Sequence, residues 1–261
     1  MNLFRLAAAC AAALALTGCA GAMRDRIYQP VPIAETPVTF AGEEPAPVTA
    51  TTADGLALHG YYWEPAPGDD TLVVYFHGNG YNQLVGAARA EPLREGGHGV
   101  LVASYRGYGG NPGAPGEAGL MADAEAWLAE ARRLAPDARM YLFGHSLGGA
   151  MALEMAARHE VGGVATLGTF ARLADQAPTA VRGMLPDRFD NVAAIARVEE
   201  PVLLIHGSED RTVAYAAAEE LERASGGRAL LARLPGAGHH VDLARLSERI
   251  WAFWETGARG D

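Results

Sequence analysis

Short apolar runs alternate with longer amphipathic stretches along most of this chain. Val48 to Trp63 reads as two strands around the turn Ala53-Asp54-Gly55, a strong hairpin signal. Thr71-Leu72-Val73-Val74-Tyr75-Phe76 predicts a buried strand, and a helix is expected from about Gln83 to Arg94. Val100 to Ala103 predicts the next strand, followed by a helix over Glu117 to Leu134. The apolar run Met140-Tyr141-Leu142-Phe143 predicts another, before a helix over Ala150 to Arg158 that is rich in good helix formers. Further strands are expected at Val164–Leu167, Val202–Ile205 and Ala229–Ala232, with helices near Arg172–Arg182, Ala214–Ala224 and Val241–Trp254. Strands alternating with helices predict an α/β fold: a mostly parallel, doubly wound sheet with an N-terminal antiparallel hairpin.

The first residues read differently. Arg5 precedes an apolar run, Leu6 to Leu16, that is too short to span a bilayer. Leu16-Thr17-Gly18-Cys19 then resembles the bacterial lipoprotein lipobox. The resemblance implies cleavage before Cys19 and lipidation of that residue, with several acyl chains making a stable anchor. Ala20, not Asp, follows the Cys, which by the same resemblance favours the outer membrane in a diderm cell. The expected organisation is therefore a signal peptide over 1–18, a lipidated Cys19 with a Pro-rich tether or wrapping segment over 19–47, and one α/β domain over 48–261. Cys10 and Cys19 are the two cysteines, so the folded body has neither disulfide nor thiol chemistry. The net charge of −10, with no Lys and every basic side chain an Arg, shows no basic stripe and argues against nucleic acid as a partner.

Chemistry concentrates at Gly144-His145-Ser146-Leu147-Gly148. This G-x-S-x-G run lies between a predicted strand and a predicted helix, the context that a strained nucleophile turn requires. The glycines two positions either side remove side chains that would collide at such a turn. The bland alternative is a Gly-rich turn carrying an incidental Ser. A Ser nucleophile needs a base. Four histidines follow it: His159, His206, His239 and His240. His159 sits beside Arg158 and Glu160 at a helix end and reads as surface. His206 ends a strand and reads as a packed, satisfied ring. His239, in Gly236-Ala237-Gly238-His239, lies on a Gly-rich loop that returns to the strand edge, with His240 its neighbouring rival. The acid that orients the base is expected at Asp210, just past a buried strand. Glu209 is an alternate, Asp175, Asp187 and Asp190 are weaker ones, and Asp210 read blandly is only a helix cap. The oxyanion donors are expected at the backbone N–H of Leu147 and of Asn79 in His77-Gly78-Asn79-Gly80, with Gly80 the alternate. There is no H-E-x-x-H, C-x-x-C or phosphate-loop motif, so neither metal nor cofactor is implied.

Together Phe76-His77-Gly78-Asn79-Gly80, Tyr105-Arg106-Gly107-Tyr108-Gly109, Gly144 to Gly149, Pro201 to Gly207 with Asp210, and Gly236 to His239 resemble the α/β-hydrolase fold. Within it they resemble the Bem46-like serine hydrolases related to depalmitoylating enzymes. Ser104 stands where that group often has Asp, and Gly116 where it often has Ser. The resemblance implies hydrolysis of a carboxylic ester or thioester through an acyl-enzyme. The expected substrate is a small-molecule or lipid-borne ester. An acyltransferase or peptidase on the same triad, or a non-catalytic binding protein on the same fold, are the competing classes. Caps in this fold commonly insert before the strand that precedes the acid. Here Phe170 to Glu200 leaves little chain for one, so a minimal lid and an open or lightly covered site are expected. Met184, Leu185, Pro186 and Phe189 are candidates to line the pocket, with core packing an equal reading for Phe189.

Overall fold

The computed structural model describes residues 21, 23–33 and 37–257. Eight strands form one sheet in the order β1-β2-β4-β3-β5-β6-β7-β8. They are β1 Ala46–Thr51, β2 Ala57–Trp63, β3 Thr71–Phe76, β4 Gly99–Ala103, β5 Arg139–His145, β6 Gly163–Leu167, β7 Val202–Gly207 and β8 Ala229–Leu234. The β1–β2 hairpin is antiparallel, and so is its junction with β4; every other pairing is parallel.

Why the central strands are apolar throughout follows from the two faces. Successive side chains point to opposite sides of a strand. Leu72, Val74 and Phe76 of β3 face one core, whereas Val73 and Tyr75 face the other. The first core is closed by α2 (Glu117–Leu134), α3 (Leu147–Ala156), the one-turn α4 (Asn191–Ile195) and α5 (Ala216–Ala224). The second is closed by α1 (Gln83–Ala90) and α6 (Ser247–Thr256), the latter inserting Trp251, Phe253 and Trp254. A parallel sheet covered on both faces leaves its functional loops at the carboxyl ends of the strands.

Two expectations need correction. The helix expected near Arg172–Arg182 is absent. Pro178 has no N–H to donate and interrupts that stretch, which folds as two short 3-10 turns, Leu173–Gln176 and Thr179–Met184. The helix of this interval is α4, whose first turn is capped by the Asp190 side chain accepting from Ala193 N–H. The first strand also starts earlier than expected, at Ala46 and not at Val48. Of the two readings of the Pro-rich stretch, tether or wrapping segment, its described residues follow the second. Residues 23–27 are helical, Tyr28 is buried, Glu43 O accepts from Trp63 Nε1–H, and Glu91 accepts from the N–H groups of Ala41 and Gly42. Cys19 and the signal segment lie outside the described residues.

Candidate active site

Ser146 stands at the turn between β5 and α3 with φ 52° and ψ −112°, a region that L-residues rarely adopt. The neighbouring glycines explain how the turn is tolerated. A Cβ on Gly148 would overlap the Phe76 carbonyl, and one on Gly149 would overlap the Thr169 side chain. The strained residue is held in place by its own N–H, which donates to Leu167 O on β6 at 2.8 Å.

Three elements converge on the serine. The loop after β8 brings His239 Nε2 to 3.0 Å from Ser146 Oγ, and the loop after β7 brings Asp210 Oδ2 to 2.7 Å from His239 Nδ1. The Asp210 side chain is fully buried. Burial works to raise its carboxyl. The Val213 N–H, the His239 bond and charge, and the Thr212 N–H outweigh that and hold it below the ordinary carboxylate range. Both N–H groups reach Oδ1 at 2.8 Å, leaving Oδ2 for the imidazole. Asp210 is thus a cap and a histidine partner at once.

The remaining histidines sort themselves by burial. His206 is buried and gives its Nε2–H to Val213 O at 2.9 Å, with Asp210 Oδ2 at 3.3 Å. Desolvation pushes it below its usual range, so it braces the acid as a neutral ring. His145 is likewise buried, pushed far down by desolvation, and its Nε2–H donates to the His239 carbonyl at 3.2 Å. It sits directly behind the base. His240 is exposed and pairs with the Tyr81 hydroxyl at 2.9 Å. His159 pairs with Glu125. Among the alternative acids, Asp175 pairs with Arg182, Asp187 with Arg24, and Asp190 caps α4. Glu209 is exposed.

Leu147 is the first residue of α3, so its N–H is one of those a helix leaves without an internal acceptor. Asn79 lies on the loop after β3, the strand adjoining β5. Gly80 N–H, the alternate donor, is turned to Asn79 Oδ1 at 3.2 Å. The Asn79 side chain has a second set of partners that the sequence does not announce: Ile27 O, the Gln29 N–H and the Tyr108 hydroxyl. Beneath this loop lies buried His77. Its Nδ1–H donates to Gly78 O at 2.9 Å, and its Nε2 meets Ser104 Oγ at 3.1 Å. Ser104 Oγ also lies 3.2 Å from Gln83 Oε1, so its one proton serves either that oxygen or His77 Nε2 at a time, and the Gln83 amide donates to Gly109 O at 3.1 Å. Ser104 therefore joins a neutral hydrogen-bond chain where a carboxylate would make an ion pair.

Of the candidate pocket residues, Phe189 is buried in the core with Phe170 at 6.5 Å between ring centroids, and Met184 is exposed. Glu117, the first residue of α2, accepts from the N–H groups of Arg188 and Phe189 and ties this interval to that helix.

A family model for the alpha/beta hydrolase fold matches residues 71–197. An uncharacterized protein of Mycobacterium tuberculosis, Rv2307c, is 35% identical over 220 residues, covering 81% of this chain and 76% of its own. Human alpha/beta hydrolase domain-containing protein 17B is 33% identical over 171 residues, covering 59% and 55%. The solved structure of the Pyrococcus furiosus esterase Pf2001 superposes with a TM-score of 0.69 at 18% identity, over 89% of this chain and all of that one. With the sheet order, the strained turn and these similarities in hand, the chain belongs to the alpha/beta hydrolase fold family.

Proposed function

We propose that this chain is a serine hydrolase that cleaves a carboxylic ester or thioester through an acyl-enzyme on Ser146. The observation that carries the reading is the continuous relay Ser146 Oγ, His239, Asp210, with links of 3.0 and 2.7 Å. His239 Nε2 takes the Ser146 proton as Oγ attacks the acyl carbon. The negative charge that develops on the acyl oxygen is met by the N–H groups of Leu147 and Asn79. His239 then hands its proton to the departing alcohol or thiol. Water deacylates the serine by the same route in reverse, with His239 as base. Asp210 keeps the Nδ1–H of His239 in place, so Nε2 faces the serine as an acceptor. No step calls for a metal or cofactor.

The Bem46-like, depalmitoylase-related placement is part of this proposal, and the motifs from Phe76–Gly80 to Gly236–His239 are what support it. So is the lipidated Cys19, which makes the enzyme an envelope lipoprotein acting beside a membrane. The similarity to Pf2001, an esterase, favours ester over peptide substrates. The test is Ser146→Ala. It should lose p-nitrophenyl ester turnover by roughly 10³-fold or more, and all labelling by a fluorophosphonate, with its circular dichroism unchanged. A variant that still labels removes Ser146 as the nucleophile.

A further inference from the structure

The described residues 23–32 are joined to the catalytic domain at three places. Arg24 grips the buried Asp187 with two bonds of 2.9 Å, from Nε and Nη2, and the Tyr28 hydroxyl donates to the same carboxylate at 2.9 Å. The main chain on either side of Tyr28 holds the Asn79 amide: Nδ2 donates to Ile27 O at 2.6 Å, and Oδ1 accepts from Gln29 N–H at 2.8 Å. Farther on, Asn82 Nδ2 donates to Pro32 O at 3.2 Å, while Asn82 Oδ1 caps α1.

Asn79 is the pivot. Its side-chain amide is fixed by Ile27 and Gln29 on one side and by the Tyr108 hydroxyl, at 2.7 Å, on the other. An amide held at both its oxygen and its nitrogen has no freedom to rotate. The backbone of the same residue carries the N–H assigned above to the oxyanion. Gly116 contributes by what it lacks: a Cβ there would stand 3.1 Å from Arg24 Nε, so the glycine leaves room for the guanidinium. Burial works to raise the Asp187 carboxyl, but Arg24, the Glu117 N–H and Tyr28 outweigh it and keep it ionised for the latch.

We propose that this N-terminal strap is a positioning element of the active site, latched by Arg24 and Tyr28 on Asp187, that sets the Asn79 N–H for transition-state stabilisation. The inference rests on the oxyanion role given to Asn79 and extends it to a segment outside the catalytic motifs. A strap that acts through a transition-state donor lowers kcat when released and leaves KM alone.

The full-length chain is assayed with p-nitrophenyl butyrate. Releasing the latch in the double variant Arg24→Ala, Tyr28→Phe should lower kcat about 10- to 100-fold, with KM within about twofold. Arg24→Lys in place of Arg24→Ala should restore part of the rate. Asn79→Ala alone should lower kcat at least as far, because it cuts both strap bonds to the residue that carries the N–H, those from Ile27 and Gln29. In the Asn79→Ala background the two latch substitutions should cost no further kcat, since both routes run through one residue. Ile250→Val, in the core on the opposite face of the sheet from Tyr28, supplies the stability control: it should lower Tm and leave kcat unchanged. Wild-type kcat in the latch variant overturns the proposal. So do full additivity with Asn79→Ala, and a kcat loss in Ile250→Val that scales with Tm as the latch loss does. An active Ser146→Ala would instead sink the hydrolase reading and is scored separately.

Discussion

His77 gives the protein an acid liability whose size follows from its surroundings. The ring is fully buried under the Asn79 loop, with Tyr105 and Tyr108 at 4.5 and 5.5 Å between centroids and no carboxylate among its hydrogen-bond partners. Burial pushes its pKa down to about 4, only partly offset by its bond to Gly78 O. An unfolded chain titrates its His near 6.5, so below that pH the unfolded state binds a proton that the folded state refuses. The stabilisation is therefore complete above pH 6.5 and is lost as pH falls toward the folded value. At ~1.4 kcal/mol per pKa unit the loss saturates near ~3 kcal/mol, and ~2 kcal/mol of it is gone by pH 5. His145 and His206, also held down by burial, steepen the same limb. The lowered carboxyls of Asp187 and Asp210 belong to a more acidic window, below the ordinary Asp pKa of 3.8. Urea unfolding followed by Trp fluorescence at pH 8 and pH 5 reads the effect. His77→Gln should lower stability at pH 8, yet shrink the difference between the two pH values by ~2 kcal/mol. Ser104→Asp should shrink it as well, because a carboxylate at Nε2 lets the folded ring keep its proton. Equal pH differences in wild type and both variants would refute the reasoning.

Three further outcomes are expected. His239→Ala should lose ester turnover by roughly 10³-fold or more, whereas His240→Ala should stay within about threefold of wild type, as kcat measurements on a soluble ester will tell. Across p-nitrophenyl esters from acetate to palmitate in matched detergent, kcat/KM should level off early. Each methylene is worth ~0.8 kcal/mol only where it is buried, and the 170–200 interval holds only short turns and α4; a rise sustained through palmitate would reveal a deep acyl tunnel. Wild type should partition into the detergent phase and Cys19→Ala should not, and mass spectrometry finding unmodified Cys19 in the mature chain would overturn the anchor.

The parts legible in the sequence were those with a local cause. The strand Thr71–Phe76 and the helix Glu117–Leu134 have the bounds that their patterns predict, because the first is an apolar run after Thr71 and the second a long stretch dominated by helix formers, with Gly119 confined to its first turn. Ser146, Asp210 and His239 come together because each lies beyond the carboxyl end of a parallel strand, β5, β7 and β8, on the same edge of the sheet. The helix predicted over Gln83–Arg94 ends as α-helix at Ala90 and continues as a 3-10 turn containing Pro92. What stayed illegible had distant causes. Arg24 meets Asp187 across a separation of 163 residues, and nothing periodic in a Pro-rich stretch signals such a partner. Pro178 did carry a local warning against a helix at Arg172–Arg182, and it outweighs the composition around it.

The latch at Arg24 also sets the length of a leash. Five peptide units separate Cys19 from Arg24, at most ~18 Å of chain however they are arranged. If Cys19 carries the proposed lipid, the oxyanion loop rides almost at the bilayer surface instead of drifting on a long spacer. Substrate search then becomes two-dimensional. An ester dissolved in the same leaflet meets the serine at an effective concentration set by surface density, whereas an equally reactive ester in bulk water must find it by ordinary collision. Selectivity for membrane-borne substrates would then come from tether geometry without any deep acyl pocket. Lengthening residues 20–23 with a Gly/Ser insert should erode it gradually and leave turnover of soluble esters untouched.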